Sequence, residues 1–377
     1  MPQAGIYLHI PFCKSRCSYC DFATDVFKNA ETVERYVNAL AQEISDFKFQ
    51  NPDFKFQIDT IYFGGGTPSL LAPRQLEKIL NALDKKFSVS AHSEITLEMN
   101  PATINLKTAR QYRNLGVNRA SFGAQTFDDA ELKRLGRRHT ASDVRETIEL
   151  LRAADFQNVS FDLIAGLPRQ TLKDWERNLT EALKLKPEHL SLYLLEIHEG
   201  TPLAEQIRSH RQPAPDEDLT AEMYELMIEK TAENGYAQYE ISNFSLSGFE
   251  SRHNSKYWLC EPVFAFGVSA HSFDGKIRRA NERDTNRYVS LIEAGASPQT
   301  FCEKADLKSE TIFLGLRLTK GLDLGEYENR FGIDLREKFA ADLARLEDAK
   351  LVEYAGNNLR LTRRGMVFSN EVFSVFV

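Results

Sequence analysis

Residues Tyr7 to Phe22 read YLHIPFCKSRCSYCDF and set Cys13, Cys17 and Cys20 at a C-x3-C-x2-C spacing behind a short apolar run. An odd number of thiols cannot pair off as disulfides, and three soft ligands crowded into one loop are gathered most readily by a soft metal centre. A closed zinc site asks for four ligands, usually from two knuckles. No second knuckle follows, and the remaining cysteines, Cys260 and Cys302, stand alone and far apart. A [4Fe–4S] cluster on three thiolates leaves one iron open to a small molecule, which gives a three-cysteine loop a purpose. The cluster is the leading interpretation, ahead of zinc and of plain buried thiols.

Outward from this loop the chain alternates apolar strands with amphipathic helices. Strands are predicted at Ile6 to Ile10, Ile58 to Phe63, Glu94 to Met99, Arg119 to Phe122, Val159 to Ile164 and Leu190 to Ile197. Between the first two, Val33, Tyr36, Val37, Leu40, Ile44 and Phe47 form the stripe of a crossover helix. Such βα repetition predicts a parallel sheet, open or barrel-like. Polar and glycine-rich residues fall just after the strands, as when a site is built at the C-terminal face of a barrel.

Arg211 to Asp218, RQPAPDED, breaks the pattern as a connection, and a helix is predicted over Leu219 to Glu233. Tyr236 to Phe273 has no strong period. Farther on, Leu335, Phe339, Leu343 and Leu346 make a helical stripe, and short strands at Leu351 to Tyr354 and Leu359 to Leu361 flank Gly356-Asn357-Asn358. Helices followed by a β-wing suggest a winged-helix-like unit. From Leu335 to the end Lys and Arg number seven and Asp and Glu six, too balanced for a nucleic-acid footprint.

With 377 residues the chain exceeds the size at which one core keeps growing, so a large and a smaller unit are expected. A net charge of −7 speaks against nucleic acid as partner. No apolar run reaches membrane-span length, and Gly5 enters a strand with no basic and apolar leader before it, so a cytoplasmic protein is expected.

Gly64-Gly65-Gly66-Thr67-Pro68 follows the second strand. Three glycines let a backbone approach a ligand unobstructed, and no Gly-Lys-Ser/Thr follows to make it a phosphate loop. A plain tight turn is the alternative. Together, the cysteine loop and this glycine run resemble the signature of the radical SAM superfamily. The resemblance implies a partial (β/α)6 barrel, a [4Fe–4S] cluster held by Cys13, Cys17 and Cys20, and S-adenosylmethionine bound at the open iron. In that family an electron from the cluster breaks the sulfonium bond of S-adenosylmethionine.

Within the superfamily the chain resembles the branch that contains the oxygen-independent coproporphyrinogen III oxidases and the heme chaperones related to them. HIPFC, YCDF, GGGTP, LIAGLP, YEISNF, HNSKYW and GVSAHSF occur in the expected order. Matching positions imply S-adenosylmethionine contacts from Tyr7, Gly65, Gly66, Thr67, Glu98, Gln125, Arg137 and Asp162. The oxidases carry a fourth cysteine where Phe22 stands here, which turns the expectation from decarboxylation toward heme carriage. His253, Tyr257 and Trp258 of HNSKYW are the candidate heme residues: a neutral imidazole suits heme iron, the rings offer flat faces, and Arg252 and Lys256 would pair with propionates. A hydrogen-bonded structural histidine is the plain alternative, and it is the expectation for His9 and His271.

The expected organisation is a partial barrel over residues 1–215, a connecting region with the heme motif over 216–300, and a C-terminal, mostly helical, winged-helix-like domain over 301–377. The expected function is heme carriage to an acceptor protein, with an electron donor of the flavodoxin or ferredoxin type. The alternative is an oxygen-independent coproporphyrinogen III dehydrogenase, and an RNA-modifying radical SAM enzyme is disfavoured by the charge.

Overall fold

The computed structural model describes residues 1–27, 29–49 and 56–377. Six strands, β1 (Gln3–Ile10), β2 (Gln57–Gly65), β3 (Ser88–Met99), β4 (Arg119–Gln125), β5 (Val159–Ala165) and β6 (His189–Leu194), lie side by side in chain order, and every neighbouring pair is parallel. This is the partial (β/α)6 barrel. All six predicted strands are present, longer than expected except at the end of β6, which stops at Leu194.

Side-chain alternation fixes the two faces. Ala4, Ile6, Leu8 and Ile10 of β1 are fully buried and join Ile61 and Phe63 of β2 and Val37 and Leu40 of the first helix in the outer core. The intervening residues point inward: Tyr7 is in register with Tyr62, Tyr62 with Thr96, and Thr96 with Arg119. One layer on, Glu98, Ser121, Ser160 and His189 align. The interior is thus polar while the outside is greasy, the arrangement of a barrel that houses a ligand.

The first helix, Ala30–Asp46, is capped by Asn29, whose Oδ1 accepts from Thr32 N at 2.9 Å. Five of the six residues of its predicted stripe are buried on it; Phe47 lies just past its end in a cluster with Phe87, Phe264 and Phe266.

The aperiodic stretch after residue 236 is ordered by tertiary contacts. β7 (Ala237–Glu240) and β8 (Asn243–Ser245) extend the sheet beyond β6. β9 (Val263–Phe266) pairs in parallel with β1 at the other side, and β10 (His271–Phe273), β11 (Ile277–Asn281) and β12 (Gln299–Lys304) continue from it antiparallel. Among the described residues these make a single twelve-stranded sheet. Strands of three to six residues and a seven-residue helix are too short to display a period, which is why the sequence was silent there. That helix, Arg252–Trp258, lies across the N-terminal end of the barrel, where His253 N and Arg252 N donate to the Glu94 carboxylate.

The C-terminal unit has helices at Leu307–Arg317, Leu324–Phe331 and Ala340–Asp348 and a three-stranded wing of Leu322–Asp323, Val352–Ala355 and Asn358–Leu361. Arg317 fastens it to the barrel through the fully buried Glu240 at 3.3 Å. Among the described residues no helix is long and apolar enough to cross a membrane.

Candidate radical SAM site

The C-terminal end of β1 delivers the cysteine loop onto the barrel mouth. Cys13, Cys17 and Cys20 are free and half-buried. Ser18 N donates to Leu135 O at 2.9 Å, and Leu203 N donates to Ser18 O at 2.8 Å, so the loop is clasped between the segment before Arg137 and the helix Pro202–Arg208. Burial pushes the Cys13 thiol up to about 11, aided by the neighbouring Cys20 and Cys17, and burial also raises Cys20. Thiols with raised pKa release protons when a metal centre forms, so assembly is favoured by rising pH. Among the described residues no three His, Cys, Asp or Glu side chains converge tightly enough to hold a single ion. Three free thiols in one loop, with the Arg137 guanidinium beside them, are a donor set that fits a [4Fe–4S] cluster.

Arg137 donates through Nη2 to Asn100 Oδ1 at 2.7 Å and to Gly123 O at 2.6 Å, and through Nη1 to Cys17 Sγ at 3.5 Å. Thr67, only 1% exposed, has Oγ1 2.7 Å from Asn100 Nδ2 and 3.6 Å from Cys13 Sγ. Glu98 accepts from Tyr62 OH at 2.7 Å and from Gly65 N at 3.0 Å. Burial raises Glu98 to about 7, with the Asp162 charge adding to it, and burial raises Asp162 to about 6. Gln125 ends β4 with a left-handed φ of 67° at a bulge against β5. The carboxylates, Arg137 and Gln125 therefore ring one mouth beside the cysteine loop. Tyr7 is deeper, with its hydroxyl 3.1 Å from His9 Nδ1. His9 Nε2 donates to Ala23 O at 2.8 Å, which ties the barrel to the returning end of the loop.

The structure shows a packing reason for glycine in this loop. Gly65 has φ 113°, and a Cβ there would lie 2.7 Å from the His9 ring; at Gly66 it would lie 2.8 Å from the Pro11 and Phe12 carbonyl oxygens. These glycines let the loop pack against the cysteine segment of the protein itself. Gly65→Val is expected to lower stability by roughly 2–3 kcal/mol through overpacking and backbone strain. A urea unfolding midpoint measures it, and an unchanged midpoint with weakened S-adenosylmethionine binding would restore the ligand-approach explanation.

The HNSKYW residues sit at the opposite end of the barrel. His253 is 1% exposed, with Nδ1 2.9 Å from Thr60 Oγ1, Nε2 3.2 Å from Tyr257 OH and its ring stacked on Tyr62 at 5.1 Å. Burial holds its imidazole down to about 3, with Lys256 adding to the effect, so it is neutral. Both nitrogens are engaged, and the iron-ligand role expected for His253 is not presented by this conformation. The propionate partners are engaged too: Lys256 pairs with Asp59 at 2.9 Å and Glu261 at 2.8 Å, and Arg252 with Asp59 at 3.2 Å. Trp258 lies apart from the mouth under the Arg317 guanidinium at 4.3 Å. Two residues of the motif bear on the site: His253 through its stacking on Tyr62, and Tyr257 because its hydroxyl feels the Glu98 charge.

Sequence reasoning missed Asn100 and Tyr62. Asn100 stands two residues past Glu98 in LEMNP, and Tyr62 two before Gly64, so strand alternation was the signal available for both.

The radical SAM superfamily model matches residues 7–182, and the HemN C-terminal domain model matches 303–368. The sequence is 37% identical to the heme chaperone HemW of Bacillus subtilis (strain 168) over 98% of both chains. The chain belongs to the HemW family of the radical SAM superfamily. HemW of Lactococcus lactis is 34% identical over 98% of this chain and 96% of its own. Radical S-adenosyl methionine domain-containing protein 1, mitochondrial, of Mus musculus is 34% identical over 85% of this chain and 74% of its own. Coproporphyrinogen III oxidase (HemN) from Escherichia coli, a radical SAM enzyme, superposes with a TM-score of 0.86 over 100% of this chain and 90% of that one. At 23% identity that likeness establishes the shared fold. Membership of the superfamily implies a [4Fe–4S] cluster and S-adenosylmethionine, which the three free thiols and the polar mouth of this HemW-family chain fit.

Proposed function

We propose that this chain is a heme carrier that delivers heme to an acceptor protein and holds a [4Fe–4S] cluster and S-adenosylmethionine at its barrel mouth. The observation that carries it is Phe22, 66% exposed two residues after Cys20, where the oxidases that the sequence resembles have a fourth cysteine. The end-to-end similarity to proteins named heme chaperones supports the same conclusion.

Cys13, Cys17 and Cys20 would hold the cluster. Tyr7, Gly65, Gly66, Thr67, Glu98, Gln125, Arg137 and Asp162 are the candidate surroundings of S-adenosylmethionine. When bound, the two groups supply reductive cleavage of a sulfonium bond. The chain's own part is positional: Tyr62 and Gly65 N–H aim the Glu98 oxygens into the mouth, and Arg137 keeps a positive charge beside the thiolates. A heme acceptor and an electron donor of the flavodoxin or ferredoxin type are the partners such a carrier needs. Coordination by His253 would require its Nε2 to leave Tyr257 and its helix to leave the barrel.

The test is anaerobically reconstituted protein assayed in parallel for heme retention and for protoporphyrinogen formation from coproporphyrinogen III. Retained heme with no porphyrinogen is expected. Porphyrinogen formed by a protein that does not retain heme would overturn the carrier in favour of the dehydrogenase.

A further inference from the structure

We propose that Asn100 is a positioning residue that sets the reduction potential of the cluster by aiming one hydrogen-bond donor at each of two cysteine sulfurs. The proposal rests on the cluster being held by Cys13, Cys17 and Cys20, and nothing in the similarity to known proteins assigns Asn100 a role.

The direction of each bond follows from elementary chemistry. A guanidinium only donates, so the Asn100 atom 2.7 Å from Arg137 Nη2 is its carbonyl oxygen. The amide nitrogen must then face Thr67, 2.7 Å away, and can only donate to the hydroxyl oxygen. Thr67 Oγ1 has thereby received its bond, and its own proton is free to go elsewhere. The acceptor in reach is Cys13 Sγ at 3.6 Å. At 1% exposure, Thr67 has no access to solvent water as an alternative. On its other side Asn100 holds Arg137, whose second nitrogen donates to Cys17 Sγ at 3.5 Å.

One amide therefore polarises two chains: Asn100 to Thr67 to Cys13, and Arg137 to Cys17 with Asn100 as its anchor. Donors at the sulfurs stabilise the more negatively charged, reduced cluster and raise its potential. Glu98 is an inward residue at the end of β3 and Asn100 stands one residue past the strand's last residue, so one strand end leads into both a group of the polar mouth and the node that holds the cysteine donors.

The experiment is an anaerobic, EPR-monitored potentiometric titration of the reconstituted full chain, with iron and sulfide assayed on each sample. Four proteins are compared with wild type: Thr67→Val, Asn100→Asp, Asn100→Leu, and Thr67→Val combined with Asn100→Leu. Thr67→Val removes one donor and is expected to move the midpoint to a more negative value at full iron content. Asn100→Leu releases both donors and is expected to move it further. Asn100→Asp keeps the acceptor for Arg137 but turns the Thr67 proton away from Cys13 toward a carboxylate, so its midpoint should also fall. The double variant should be no more negative than Asn100→Leu, because the Thr67 donor is already lost there.

An unchanged midpoint in Asn100→Leu at full iron content overturns the proposal, as do fully additive shifts. Should Asn100→Leu fail to hold iron, a wild-type midpoint in Asn100→Asp overturns it instead. A wild-type chain that assembles no cluster would be the failure of the underlying assignment, and the iron assay reports that separately.

Discussion

Cys17→Ala is expected to lose essentially the whole cluster after anaerobic reconstitution, while its far-ultraviolet spectrum stays that of the wild type. Cys17 is only half-buried and lies in a loop clasped by backbone bonds of Ser18 to Leu135 and Leu203, which do not involve its sulfur. Removing the thiol leaves two ligands for a centre that already has an open iron, and Arg137 loses its sulfur partner. Cys13→Ala and Cys20→Ala should behave alike. Cys260→Ala and Cys302→Ala should retain full iron content, since Cys260 is buried beside Thr311 and Cys302 stands exposed on β12. Iron and sulfide analysis with the visible absorption spectrum measures the result. Four irons per chain in Cys17→Ala would sink the three-cysteine assignment.

Much of this site was legible because its chemistry is local in sequence. The cysteine spacing, the glycine run and Glu98 each sit at the end of a strand and Asp162 lies on one, so grouping them needed only the βα pattern. What escaped notice depends on distance in sequence. Asn100 matters because Arg137, 37 residues on, and Thr67, 33 residues back, converge on it. A lone Asn beside a proline carries no such mark.

Distance in sequence also hid the surroundings of HNSKYW. HNSKYW has the composition of a ligand site, and the sequence cannot say that Asp59, Thr60 and Glu94 reach it from β2 and β3. At Gly65 the group a Cβ would meet is His9, which only the fold brings beside it. The stretch after residue 236 was opaque for a simpler reason, since its strands are too short to show a period and are held by neighbours from both sides of the sheet.

His253→Ala is expected to destabilise the chain by about 3 kcal/mol at pH 7, from the cavity left under Tyr62 and the two hydroxyls, of Thr60 and Tyr257, that lose their partner. The pH dependence carries the signature. The folded imidazole is held down to about 3 by burial, whereas in the unfolded chain it titrates near its ordinary value of about 6.5. A depressed folded pKa means that this contribution is fully present above about 6.5 and is lost as pH falls toward 3, because the unfolded state takes up the proton first. The alanine variant lacks that term, so the stability gap between the two proteins should narrow as the pH is lowered from 7 to 4. Urea unfolding at a series of pH values measures the gap, and a heme titration of both proteins well below their unfolding midpoints completes the comparison. A gap that narrows as described, with the heme spectrum unmoved, makes His253 the pin that closes the N-terminal end of the barrel. A variant with the unfolding midpoint of wild type and no Soret band would assign the imidazole to heme iron instead, and would require the helix Arg252–Trp258 to swing out of the barrel when heme binds.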